Sequence, residues 1–185
     1  MYFPGGYGPG QDPFDSALAS ITIRALEDAG AFVVPVRYDD TFFKPDAERF
    51  AGGVRREVSG ALAFHRPDRL TLLGKSRGTQ ALRVLCAEAF DFPEDTRVIW
   101  QTPVWRSDKS WEAARNTHLE SLHLVGLADH DYHDAERHRE VRGETIEFPG
   151  ADHGLEIAGD VVATLHTWRA MAEAIVAFAG RRQQN

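Results

Sequence analysis

Residues 70–78 read Leu-Thr-Leu-Leu-Gly-Lys-Ser-Arg-Gly, an apolar run that breaks into Gly74-Lys75-Ser76-Arg77-Gly78. No other stretch restricts the fold as much. A continuous apolar strand must be covered on both faces, and the two glycines that bound the next five residues allow a sharp turn. The segment after the turn has helical spacing: Gly78, Ala81, Leu82, Leu85, Cys86 and Ala89 fall at i, i+3, i+4, i+7, i+8 and i+11, one apolar stripe. The small residues at its start let the helix lie close on a sheet. Strand, tight turn and helix together set the Ser76 hydroxyl at an apex, beside the first N–H groups of a helix. Those groups lack intrahelical acceptors and favour developing negative charge.

The remainder alternates in the same way. Met1–Pro4 is a short apolar start that runs into a glycine-rich loop. Asp15 or Ser16 caps a helix carrying Leu18, Ile21, Thr22, Ala25, Leu26 and Ala29, which Gly30 ends. Ala31–Val36 reads as a β-branched strand. Pro45 begins a second helix with Phe50, Val54, Val58, Ala61 and Leu62. Leu70–Leu73, Arg97–Gln101, Leu122–Leu127 and Thr145–Phe148 read as further strands. Val161, Leu165, Trp168, Ala172 and Ile175 mark a long C-terminal helix. Apolar strands separated by amphipathic helices imply an α/β fold with a mostly parallel sheet of about six strands between two helical layers. The stretches 102–117 and 128–142 are the least regular, and both come after strands, at the sheet edge where open α/β folds place ligands.

Length and composition narrow the class. With 185 residues, the chain reads as one domain, 1–185, with a sizeable core. No apolar run approaches the roughly 20 residues of a membrane span, and no basic-then-apolar leader is visible, so the expected setting is cytoplasmic, with no membrane partner. The net charge of -7 comes from interspersed acids and bases without a basic stripe, which argues against nucleic acid. Cys86 is the only cysteine, so an intrachain disulfide and a cysteine-rich zinc site are excluded, and its place on the apolar stripe reads as core filling.

A serine nucleophile needs a base, and the base needs an orienting acid. His153, in Gly150-Ala151-Asp152-His153-Gly154, lies in a polar loop between the last strand and the last helix. Asp129 is the first acid after the strand through Gly126, with Asp131 and Asp134 as alternatives. The chain order Ser76, Asp129, His153 differs from the orders of chymotrypsin-like and subtilisin-like proteases. Two backbone donors for an oxyanion are expected at Arg77 and in the loop Phe3-Pro4-Gly5-Gly6-Tyr7-Gly8-Pro9-Gly10, at Gly6 or else Tyr7.

With these residues in place, the chain resembles a compact α/β-hydrolase. It is similar to the small dienelactone-hydrolase-like and esterase-like group with a Gly-Lys-Ser-x-Gly nucleophile elbow. The resemblance runs through the Pro4–Gly6 loop, Gly74–Gly78, Trp100-Gln101-Thr102-Pro103, Gly126–Asp129 and Ala151–Gly154. It implies strand order 2-1-3-4-5-6 and serine hydrolase chemistry on an ester, thioester or similar acyl bond, with a Ser76–His153–Asp129 triad and no cofactor. The chain departs from larger relatives in three ways. The first strand begins at Met1, without their early antiparallel strands. Pro4 stands where they often carry histidine before glycine. Few residues separate Gln101 from Leu122, so no cap domain is expected.

Other readings compete. A non-catalytic binding or scaffold protein on the same fold uses none of this chemistry. Lys75 and Arg77 read as elbow filler with solvent-facing heads, or as recognition of an acidic acyl group. His130, His133 and His138, interleaved with Asp129, Asp131 and Asp134, resemble a metal cluster, but no second motif completes a tetrahedral site, so no metal is expected. Trp100 reads as core, and Trp105 and Trp111 either flap over an apolar acyl group or pack their loop down. Gly-Lys-Ser is not the end of a phosphate loop, because Arg69 stands where that motif needs glycine. The expected partner is a small-molecule acyl substrate, and a homo-oligomer is left open.

Overall fold

A computed structural model describes residues 1–5, 14, 16–36, 47–87 and 90–181. In chain order the elements are β1 Tyr2–Phe3, α1 Ala17–Asp28, α2 Ala47–His65, β2 Arg69–Lys75, a single 3-10 turn Ser76–Gly78, α3 Thr79–Ala87, β3 Asp95–Gln101, α4 Asp108–Asn116, β4 Glu120–Gly126, α5 Ala135–Glu140, β5 Glu144–Phe148 and α6 Val161–Gly180. The strands form one sheet in the order β1-β2-β3-β4-β5, and every pairing is parallel. This is the covered α/β sheet that the apolar strands require.

The expected strand at Ala31–Val36 is reduced to one parallel bridge between Pro35 and Tyr2. Its place in the sheet is nevertheless the expected one, outside β1. Tyr2 N–H donates to Val34 O at 3.0 Å and Val36 N–H donates to Tyr2 O at 2.9 Å. Tyr2 is one of only two residues in β1, and among the described residues the pairing goes no further.

Successive strand residues point to opposite faces. Leu70, Leu72, Val98 and Trp100 enter one core with Val54, Val58, Leu82 and Leu85 from α2 and α3. Leu73, Ile99, Leu122 and Leu124 enter the other with Leu18 and Leu26 of α1 and Met171, Ile175 and Phe178 of α6. The buried stripe of α6 is therefore Thr164, Met171, Ile175 and Phe178, whereas Val161 and Leu165, expected on it, are exposed. Ser16 caps α1 by accepting from Ala19 N–H at 3.2 Å; its rival Asp15 lies outside the described residues, as do Pro45 and Ala89.

The two irregular stretches are more ordered than expected. Residues 102–117 contain α4 and residues 128–142 contain α5, and no large cap domain stands between β3 and β4 among the described residues. Both helices are short, too brief for a periodic signal to stand out. No described helix is long and apolar enough to cross a membrane.

Candidate active site

Ser76 comes directly after the last residue of β2 with φ at +51°, a left-handed conformation that a serine adopts only when the surroundings impose it. The surroundings are glycines. A Cβ on Gly74 would stand 2.7 Å from Gly78 O, and one on Gly78 would run into the carbonyl oxygens of Phe3 and Pro4. The turn can thus fold tightly and sit against the end of β1. Thr79 closes it from the helix side, its hydroxyl donating to Ser76 O at 2.6 Å.

Asp129 lies just beyond β4 and His153 just beyond β5. His153 Nδ1 is 2.6 Å from Asp129 Oδ2, and His153 Nε2 is 2.7 Å from Ser76 Oγ. An ionised carboxylate only accepts, so Nδ1 carries the proton and Nε2 is left to accept from the serine hydroxyl. Asp129 is 5% exposed. Its other oxygen, Oδ1, accepts from Tyr132 N–H at 3.3 Å. Asp131 is exposed, and Asp134 instead caps α5, accepting from the N–H groups of Glu136 and Arg137 at 3.1 Å each. The hydrogen bond from Arg137 holds the Asp134 carboxyl below its usual range. Of the three acids, only Asp129 meets the imidazole.

The loop that carries His153 is held at several points. Ala151 and Ile157 form an antiparallel bridge across it, and Trp168 of α6 donates its indole N–H to Gly154 O at 3.1 Å. Gly126 lets β4 pass beneath, because a Cβ there would strike the carbonyl oxygens of Ala151 and Asp152. Leu155 is fully buried with φ at +56°, so the loop's apolar anchor is held in place at the cost of a strained backbone.

Of the expected oxyanion donors, Arg77 N–H belongs to the first residue after Ser76, in the 3-10 turn that leads into α3. Gly6 and Tyr7 lie outside the described residues. The residue before them, Gly5, does approach: a Cβ on it would lie 3.4 Å from Ser76 Cβ.

Several expectations are corrected. Lys75 does not turn its head to solvent; it is 8% exposed, and burial pushes its ammonium below the usual lysine value against the opposing pull of Asp129, Asp152 and Glu156. Trp105 is fully buried against Trp100 and His123, so it packs its loop and forms no flap. Trp111 is partly buried, donates to Arg137 O at 3.1 Å and lies under the guanidinium groups of Arg115 and Arg137, which ties α4 to α5. Cys86 is the core filler expected, its thiol pushed up to about 11 by burial. Among the described residues, no group of three His, Cys, Asp or Glu side chains is placed to hold a metal ion. His130 is exposed, and His138 is turned to Glu147 at 3.1 Å.

One neighbour of the site is not readable from the spacing of apolar residues. The Tyr132 ring packs against the His153 imidazole, with centroids 4.4 Å apart and the planes tilted by 43°. The only signal for it is local: an aspartate that accepts from a nearby backbone N–H draws that residue back over itself.

No protein-family model matches the sequence, and no curated protein matches it. Solved structures do. An alpha-beta serine hydrolase homologue from Coxiella burnetii superposes with a TM-score of 0.60 at 12% identity, over 89% of this chain and 77% of that one. The esterase domain of a Rhodothermus marinus protein superposes with a TM-score of 0.57 at 16% identity, over 88% and 80% respectively. At these identities the likeness is one of architecture, and the architecture is α/β-hydrolase-like.

Proposed function

We propose that this chain is a serine hydrolase acting on an ester, thioester or similar acyl bond of a small molecule, with residues 1–185 forming one α/β-hydrolase domain. The observation that carries the reading is the unbroken hydrogen-bonded line Ser76 Oγ, His153 Nε2, His153 Nδ1, Asp129 Oδ2, at 2.7 and 2.6 Å. A loop histidine or a helix-capping serine in an ordinary turn has no reason to form it.

In the proposed reaction, Ser76 Oγ attacks the acyl carbonyl as His153 Nε2 takes its proton. Asp129 holds the ring and stabilises the imidazolium. The oxyanion is received by Arg77 N–H and a second backbone N–H from the loop after β1, at Gly6 or Tyr7; one such donor is worth about 10²–10³ in kcat. Collapse of the intermediate breaks the bond to the leaving alcohol or thiol, which takes the proton from His153. Water, deprotonated by His153, then attacks the acyl-enzyme, releases the acid and restores Ser76.

The test is fluorophosphonate labelling of the purified chain, read by intact mass and peptide mapping. A single adduct on Ser76, absent in Ser76→Ala, is the expected result. A folded chain that takes up no probe would instead belong to the non-catalytic binding or scaffold class.

A further inference from the structure

Arg137 joins two of the segments that follow strands at the sheet edge where Ser76, Asp129 and His153 meet. It belongs to α5, after β4, and its side chain bonds the segment after β3. Its Nη1 donates to Trp105 O at 3.0 Å, and its Nη2 donates to Oδ1 of Asp108, the first residue of α4, at 2.5 Å. The guanidinium carbon lies 5.1 Å from the centre of the Trp111 ring, and Arg137 O accepts from Trp111 Nε1–H at 3.1 Å. A planar guanidinium has several donors in fixed directions, so one side chain can hold a carbonyl and a carboxylate while it stacks on an aromatic face. On its own segment, Arg137 Nε stands 3.7 Å from Asp134, the cap of α5.

Trp105 carries the link inward. Its N–H and that of Arg106 both donate to Tyr132 O, at 3.0 and 3.3 Å. Tyr132 N–H donates in turn to Asp129 Oδ1 at 3.3 Å, and the Tyr132 ring packs against the imidazole of His153 with centroids 4.4 Å apart. Each step from Arg137 to the Asp129–His153 pair is thus a hydrogen bond or a ring contact. The buried Trp105 indole N–H has no partner among the described residues, so the polar hold on this residue runs through its backbone. We propose that Arg137 is a positioning residue: it pins the backbone of Trp105 to the segment after β4, which keeps the Tyr132 ring against His153 and the Tyr132 N–H on Asp129. The proposal rests on the serine hydrolase reading.

The experiment is the rate of fluorophosphonate labelling at Ser76 for the full wild-type chain, R137M, R137K, D108N, Y132A and the double variants R137M/Y132A and D108N/Y132A. R137M is expected to label about fivefold more slowly than wild type, because a small displacement of a reacting group is costly. R137K, which offers one ammonium to two acceptors, is expected to recover part of that rate. If Arg137 acts through Tyr132, the two losses overlap, so R137M/Y132A is expected to label at the rate of Y132A alone. A merely structural role would leave the two losses multiplying. D108N alters an exposed carboxylate and so tests the same link even if R137M does not fold; it is expected to label about twofold more slowly, with no further loss on top of Y132A. Wild-type rates in the folded Arg137 and Asp108 variants, or losses that multiply in the double variants, overturn the positioning role while leaving wild-type labelling intact. A wild-type chain that does not label overturns the hydrolase reading and this inference with it.

Discussion

His153 Nδ1 and Asp129 Oδ2 lie 2.6 Å apart, the acid nearly shut off from water and the imidazole partly open to it. A charge-assisted bond in such a place fixes one tautomer and one ring orientation. Asp129→Asn keeps the shape but offers the ring a group that can donate as well as accept. In the proposed reaction this variant is expected to lose about 10⁴-fold in kcat, with KM little changed and the fold intact. Steady-state hydrolysis of a chromogenic ester, alongside circular dichroism, measures both.

Tyr132 meets His153 ring to ring, the two planes tilted by 43°. Its backbone N–H meanwhile bonds Asp129, and its carbonyl accepts from Trp105 and Arg106, so the backbone that carries the ring is held on both sides. Tyr132→Phe should label with fluorophosphonate at close to the wild-type rate. Tyr132→Ala should be slower by roughly tenfold, since small misplacements of a reacting group are costly. Equal rates for the alanine and wild-type chains would remove the ring from the account.

Gly126 is where β4 and the histidine loop touch. Gly126→Ala puts a methyl group into two backbone carbonyls, neither of which can rotate away as a side chain would. The loop must lift. Urea unfolding should show a loss of about 1–3 kcal/mol, the range for inserting a methyl group into a packed site. Labelling of Ser76 should fall further than that loss of stability explains.

His123 supplies a pH dependence that does not involve the proposed chemistry. It is fully buried among Trp100 and Trp105, donates Nε2–H to Arg142 O at 2.8 Å, and has no partner for Nδ1 among the described residues. Burial first, with a smaller contribution from His138, lowers its pKa from 6.5 to about 4, against the hydrogen bond to Arg142. Between those values the unfolded chain binds the proton and the native chain does not. This contribution to stability is therefore full above pH 6.5 and is lost as pH falls to about 4, by roughly 3 kcal/mol at most. His123→Gln keeps a donor for Arg142 O and should flatten that part of the urea-stability curve.

The strands and the chain order of Ser76, Asp129 and His153 were legible because each depends on local pattern: an apolar run, a glycine-bounded turn, a polar loop after a strand. The choice of Asp129 over Asp131 and Asp134 was legible for a related reason, since only the first acid after β4 stays close to the strand end. Lys75 was misread because residue type alone puts lysine in solvent, whereas the last position of a central strand is buried whatever occupies it. Trp105 and Tyr132 depend on how loops fold back on the sheet, and no periodicity encodes that. The Pro35 bridge shows the converse: β-branched neighbours advertised a strand, but β1 beside it offers only two residues to pair with.

The sheet order has a mechanical side. Ser76 follows β2, Asp129 follows β4 and His153 follows β5, so the hydrogen-bonded line that joins them runs from the interior of the sheet to its rim. β5 is the outermost strand there, five residues long with only Phe148 buried. Rim strands of that kind open at lower cost than the centre. In rising urea, reactivity at Ser76 should fade while the helical circular dichroism still reads as native. The same sheet that keeps the serine still leaves His153 on a thinly buried rim, so in the proposed reaction the cohesion of one short strand sets the range of conditions over which the chain can work.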